Sequence, residues 1–235
     1  MRNISLIPIV SVLLLFSSVR GLAQAPVPEK VFEGANGLRI HVKEVAPGAQ
    51  PSSVQIICYL KHRKTGDTTL AAVSDFDREL GGVVRALRDS DQFEGFPLET
   101  LYFKSPKGSI KANAVLLIGV GDEEELSLET MRNVGIVGLR NAMLIDASSV
   151  SFAAALQDQN VKKLDVGDVA GAVAFGALLA YDTEKRLQDR GLVLKHTIED
   201  WTYEAGPAFF ERTVMGVREA VKKADEEIAA RGAVK

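Results

Sequence analysis

The 235-residue chain has a single cysteine, Cys58, so no intramolecular disulfide is available and stability must come from the core. Inside the apolar stretch Val54-Gln55-Ile56-Ile57-Cys58-Tyr59-Leu60 this thiol reads as a small buried hydrophobe. Histidine is nearly as scarce. His41, His62 and His196 stand far apart, and neither His-Glu-x-x-His, His-x-His nor a cysteine pair occurs, so no transition-metal site is expected. An excess of positive charge is also missing, with 28 Lys and Arg against 31 Asp and Glu. Phosphate neutralisation by clustered basic side chains is what nucleic-acid binding rests on, so that class of partner is excluded. There is no Gly-x-Ser-x-Gly elbow for a serine nucleophile and no Gly-Lys-Ser/Thr phosphate loop. Repeats, low-complexity tracts and linkers are absent as well, which favours one domain.

Long apolar runs are confined to the N-terminus. Arg2 precedes an apolar run over residues 4–19, followed by Arg20-Gly21-Leu22-Ala23-Gln24-Ala25. A short basic start, an apolar centre and small residues at a cut site are the parts of a secretory signal peptide. Sixteen residues fall short of the ~20 that span a bilayer. Cleavage after Ala23 is favoured over cleavage after Ala25, which would place Pro26 directly behind the cut. The expectation is a signal peptide at 1–23 and a domain at 24–235, exported to the periplasm or medium and free of the membrane. Losing Arg2 and Arg20 leaves 26 basic against 31 acidic residues, a net charge near −5.

Strands and helices alternate along what is there. Leu38, Ile40 and Val42 alternate with polar residues, as in a half-buried strand, and residues 53–60 make a second. Phe76, Leu80, Val83, Val84 and Leu87 share one face of a helix over 76–88, with Gly81-Gly82 inside it explained by close approach to the sheet. Residues 100–103 and 112–119 read as strands, the second buried on both faces. Ser127 caps a helix that continues through Met131, Val134 and Leu139. A strand at 150–154, a glycine-containing helix at 166–181 and a last strand at 191–198 follow. The final helix starts near Pro207 and carries Phe210, Val214, Val217, Val221, Ala224 and Ile228 at helical spacing. This order predicts an α/β three-layer sandwich with a mixed, mostly parallel sheet.

Gly119-Val120-Gly121 sits between a strand and a helix, where backbone N–H groups attract anions. The third glycine of a dinucleotide site is missing, and Asp122, Glu123, Glu124 and Glu125 would repel a phosphate there. The two glycines therefore read as a tight turn, and the acids as a solvated loop without the spaced oxygens that Ca²⁺ requires. Lys61-His62-Arg63-Lys64 reads as a solvated turn.

Several segments, in order, resemble the N-terminal domain of the M17 (leucyl) aminopeptidase family. They are Asp75-Phe76-Asp77-Arg78-Glu79-Leu80-Gly81-Gly82, Phe93-Glu94-Gly95-Phe96-Pro97-Leu98-Glu99-Thr100, residues 116–140 with the Gly-x-Gly and the helix cap, residues 171–185, and the last helix over 210–230. The resemblance implies a macro-domain-like fold that assists assembly at the periphery of a hexamer. The family's metal ligands and catalytic groups belong to a following peptidase domain with an Asn-Thr-Asp-Ala-Glu-Gly-Arg motif. That motif does not occur here, and residue 235 falls near where that domain would begin.

The resulting expectation is an exported, non-catalytic binding or assembly module without cofactor, catalytic residue or metal. Its partner is a second copy or another protein, such as an aminopeptidase catalytic chain. Phe210, Val214, Val217 and Val221 are the candidate interface. The alternatives are an accessory subunit of a metallo-aminopeptidase, or a small-ligand crevice at the strand ends lined by Gly119, Gly121 and Asp122. The acidic loop limits such a crevice to neutral or cationic ligands.

Overall fold

A computed structural model describes residues 26–231, and the expected leader, residues 1–23, lies outside them. The strands are β1 (Glu29–Glu33), β2 (Arg39–Lys43), β3 (Val54–Leu60), β4 (Thr100–Lys104), β5 (Ala114–Gly121), β6 (Ser149–Ala153) and β7 (Asp200–Glu204). The helices are α1 (Ala71–Glu79), α2 (Val83–Asp89), α3 (Leu128–Leu144), α4 (Val166–Asp189) and α5 (Phe210–Ala230). One sheet joins the strands in the order β1-β2-β7-β6-β3-β5-β4. The five inner strands run parallel, and β1 and β4 close the edges antiparallel.

Every residue of β3 and β5 is buried, as expected of strands covered on both faces. Their side chains divide by alternation. Ile56, Cys58, Leu116 and Ile118 enter a core shared with α3, α4 and α5, while Ile57, Tyr59, Val115 and Leu117 meet Val73, Phe76, Leu80 and Val84 of the α1–α2 region. The result is the expected three-layer α/β/α sandwich. By length and composition α4 is apolar enough to cross a membrane, but most of it is buried between α3 and α5. Glycine permits that close packing. A Cβ on Gly176 would lie 2.0 Å from the Arg132 carbonyl oxygen, and one on Gly216 would lie 1.8 Å from that of Gly167.

Four local expectations need correction. Gly81 and Gly82 do not sit inside one helix against the sheet. Both have positive φ (75° and 80°) with open space around a Cβ, so they break the segment into α1 and α2. Residues 191–198 are not a strand. Leu192 and Leu194 are 66% and 92% exposed, and the last strand lies further on at β7, where Trp201 and Tyr203 are buried. An edge strand, β1, occupies part of what reads as a polar lead-in. The helix at 166–181 continues to Asp189.

Candidate functional site

The parallel strands all end at one edge of the sheet, the place where α/β folds leave room for ligands. A cavity of about 340 Å³ opens there, between the ends of β6 and β7, the segment after β2, and the first turns of α4 and α5. Its walls are mainly apolar, with Phe152, Val169, Ala170, Tyr203 and Phe209 prominent. Its acidic residues are Glu44, Asp158 and Glu204, and no Lys, Arg or His lines it.

Glu204 ends β7 and turns under the β2–β3 loop. Its carboxylate accepts the Gln55 Nε2 amide at 2.7 Å and the Gln50 backbone N–H at 3.2 Å. Gln55 Oε1 in turn accepts from Ser151 Oγ at 2.7 Å, and the Ser151 and Ser52 hydroxyls are 2.8 Å apart. This buried polar chain ties β3, β6 and β7 to the loop over the cavity. Burial outweighs these bonds and pushes the Glu204 carboxyl up to about 8. Burial also raises Asp158, opposed by the Ala72 backbone N–H.

A second, wider depression of about 690 Å³ runs across α3, α4 and α5. Leu128, Phe175 and Met215 supply its apolar surface, and Met215 is 62% exposed. Lys223 Nζ and Arg132 Cζ lie 4.9 and 5.3 Å from the Phe175 ring centroid, so cations frame the aromatic floor. Glu129, Asp165, Asp168 and Glu219 balance them around the rim. Both helix starts are capped within the chain: Ser127 Oγ accepts from Thr130 N at 3.2 Å, and Asp165 Oδ1 accepts from Gly167 N at 2.7 Å.

The residues singled out from sequence sit elsewhere. Gly119, Gly121 and Asp122 do not line an open crevice, because the 93–98 loop lies on them. A Cβ on Gly119 would fall 2.2 Å from the Phe96 carbonyl oxygen, and one on Gly121 would fall 2.7 Å from Pro97 Cγ. Gly121 N–H also donates to the Gly95 carbonyl, which seals the turn. Asp122 points outward and pairs with Lys61 at 3.1 Å. Phe210, Val214, Val217 and Val221 do not form a free face either. All four are buried in the core shared with α4, because 4-3-4 spacing turns the apolar side of α5 inward. Part of the surface α5 does offer is the groove side, with Arg212, Met215 and Gly216. Among the described residues, no three His, Cys, Asp or Glu side chains gather as a metal site.

Glu204, Tyr203 and Phe152 were not singled out from sequence. The signal available was the alternation Asp200-Trp201-Thr202-Tyr203-Glu204, an apolar strand that ends on a carboxylate before Gly206-Pro207.

Comparison with known proteins adds a family. The model of the cytosol aminopeptidase family's N-terminal domain matches residues 58–190. A probable cytosol aminopeptidase of Persephonella marina is 24% identical over 135 residues, which is 54% of this chain and 27% of that protein. Among solved structures, a mutant of tomato leucine aminopeptidase superposes with a TM-score of 0.59 at 18% identity, over 88% of this chain and 38% of that one. An Oceanobacillus iheyensis macrodomain with ADP gives 0.60 at 11% identity, over 86% of this chain and 100% of that one. At such identities the structural likenesses establish the fold. The chain spans about a quarter of the length of its aminopeptidase relative.

Proposed function

This chain belongs to the cytosol aminopeptidase family, whose N-terminal domain it carries, and from that premise we propose that it is an exported, non-catalytic assembly module that docks a partner protein in the α3–α4–α5 groove. The carrying observation is the groove itself, with an aromatic floor, an exposed methionine and a rim of both charges. Protein interfaces favour aromatic, Met and Arg residues at the centre and polar residues at the edge. The occupant is a peptidase-type chain. Relatives carry a much larger body beside this domain, and α5 forms one wall of the groove. The N-terminal run of residues 4–19 supports export.

Nucleotide binding, as in the macrodomain with ADP, is not carried over. Recognition of phosphates needs donors and positive charge, and the strand-end cavity here is lined by three carboxyls and no basic residue.

The test uses tagged residues 24–235 as bait in an exported-protein extract. A stoichiometric peptidase chain is expected, and Leu128→Asp with Met215→Asp should weaken its capture about tenfold or more. The native protein should begin at Gln24 in the same extract. A strict monomer with an empty pull-down would overturn the reading, and so would capture indifferent to both substitutions.

A further inference from the structure

We infer that the cavity at the carboxyl ends of β6 and β7 is a binding site for a small monocationic amine with an apolar body. The hydrocarbon part would rest against Phe152, Val169 and Phe209, with the ammonium toward Glu44 and Asp158. This rests on the cavity alone and is independent of protein docking in the groove.

Size argues for a ligand rather than a packing defect. A cavity of about 340 Å³ far exceeds the ~30 Å³ share of one water molecule and falls within the roughly 300–1,000 Å³ range of ligand pockets. Mainly apolar walls with a few polar groups are also the usual make-up of such pockets. The apolar lining selects a hydrocarbon body.

Charge selects the head group. Three carboxyls line the space with no basic residue among them. In a low-dielectric recess such an arrangement concentrates cations and repels anions. The opposing contribution comes from the first turns of α4 and α5, each equivalent to roughly half a positive charge. The Asp165 carboxylate caps α4 and also pairs with Arg212 at 3.2 Å, so it offsets part of that share. Glu204 keeps its proton at neutral pH, so the helix ends stand against Glu44 and Asp158, and the potential stays negative.

Ala46 lies at an exposed position on the cavity lining, so enlarging it obstructs the entrance without disturbing the core. The cavity and the groove occupy opposite sides of the α4–α5 contact. Val169 and Thr213 line the first, whereas Asp168 and Arg212 line the second.

The experiment is ligand-observed saturation-transfer NMR and calorimetry on the purified protein with three matched probe pairs. These are 2-phenylethylamine and 3-methylbutylamine, the alcohols 2-phenylethanol and 3-methylbutanol, and the acids 3-phenylpropionate and 4-methylpentanoate. The amines should bind about tenfold more tightly than the alcohols, and the acids should show no transfer. Ala46→Trp should abolish amine binding while its circular dichroism and thermal midpoint match the parent. Equal binding of amines and alcohols would overturn the charge assignment. Acid binding, unchanged amine binding in Ala46→Trp, or no probe binding at millimolar concentration would each overturn the site.

Discussion

Glu204 shows what a single buried carboxyl does to this domain. In the folded chain its pKa is pushed up to about 8, chiefly by burial, against an ordinary value of 4.5. Between those values the native state retains a proton that the unfolded chain has released. Stability from this group is therefore present below pH 4.5 and lost as pH rises toward 8, at about 1.4 kcal/mol per pH unit. Asp200 works in the opposite sense at lower pH, because the Arg39 guanidinium holds its carboxyl below the ordinary range. Glu204→Gln keeps an acceptor for the Gln50 N–H and removes the titration. Urea midpoints at pH 5, 6.5 and 8 should fall for the parent and stay nearly level for the variant. Parallel profiles would show that Glu204 does not titrate in this window. The same residue illustrates why the site was hard to read from sequence: its neighbours Gln55, Gln50 and Ser151 come from distant segments, and only folding brings them together. Gly119 and Gly121 misled for a related reason, since the loop covering them is some 25 residues upstream.

The helix layer depends on glycine at the scale of the element. The Arg132 carbonyl lies where a Cβ on Gly176 would sit, so α3 and α4 approach more closely than alanine allows. Gly176→Ala forces the two helices apart and should destabilise the protein by about 1–3 kcal/mol, despite the better helix propensity of alanine. A denaturant midpoint equal to or above the parent's would mean that the helices slide without cost. Elements whose pattern is complete within themselves were legible. These include β3 and β5, with their unbroken apolar runs, and α3, with its Ser127 cap. Elements defined by their neighbours were not. Leu192, Val193 and Leu194 are as apolar as a strand requires, yet β7 forms after them, because Trp201 and Tyr203 find Phe152 on β6 and the strand finds β2. The edge strand β1 carries a weak pattern, with Val31 exposed, and it exists because β2 offers it a free edge. The inward turn of α5 was legible from its spacing, and the same spacing explains why Phe210, Val214, Val217 and Val221 fill the core instead of meeting a partner.

At the scale of the whole molecule, two cores share one sheet. β3 stands between β6 and β5, and alternate residues of it enter each core, so neither layer can be removed without exposing it. Such coupling makes unfolding cooperative, since opening either face costs apolar burial on the strand they share. Two natural reporters test this. Cys58 lies at the centre of β3, fully buried, with its thiol pushed up by burial, so it is both inaccessible and poorly ionised. Trp201, the only tryptophan, is buried on β7. Labelling of Cys58 by a thiol-specific disulfide reagent should therefore proceed only through global opening. Its denaturant dependence should match the unfolding free energy obtained from Trp201 fluorescence and from far-ultraviolet circular dichroism. Fast labelling under native conditions, with fluorescence unchanged, would mean that the α3–α4–α5 layer opens by itself in a minor population. The sheet would then be a frame holding two independent layers rather than the shared centre of one cooperative domain.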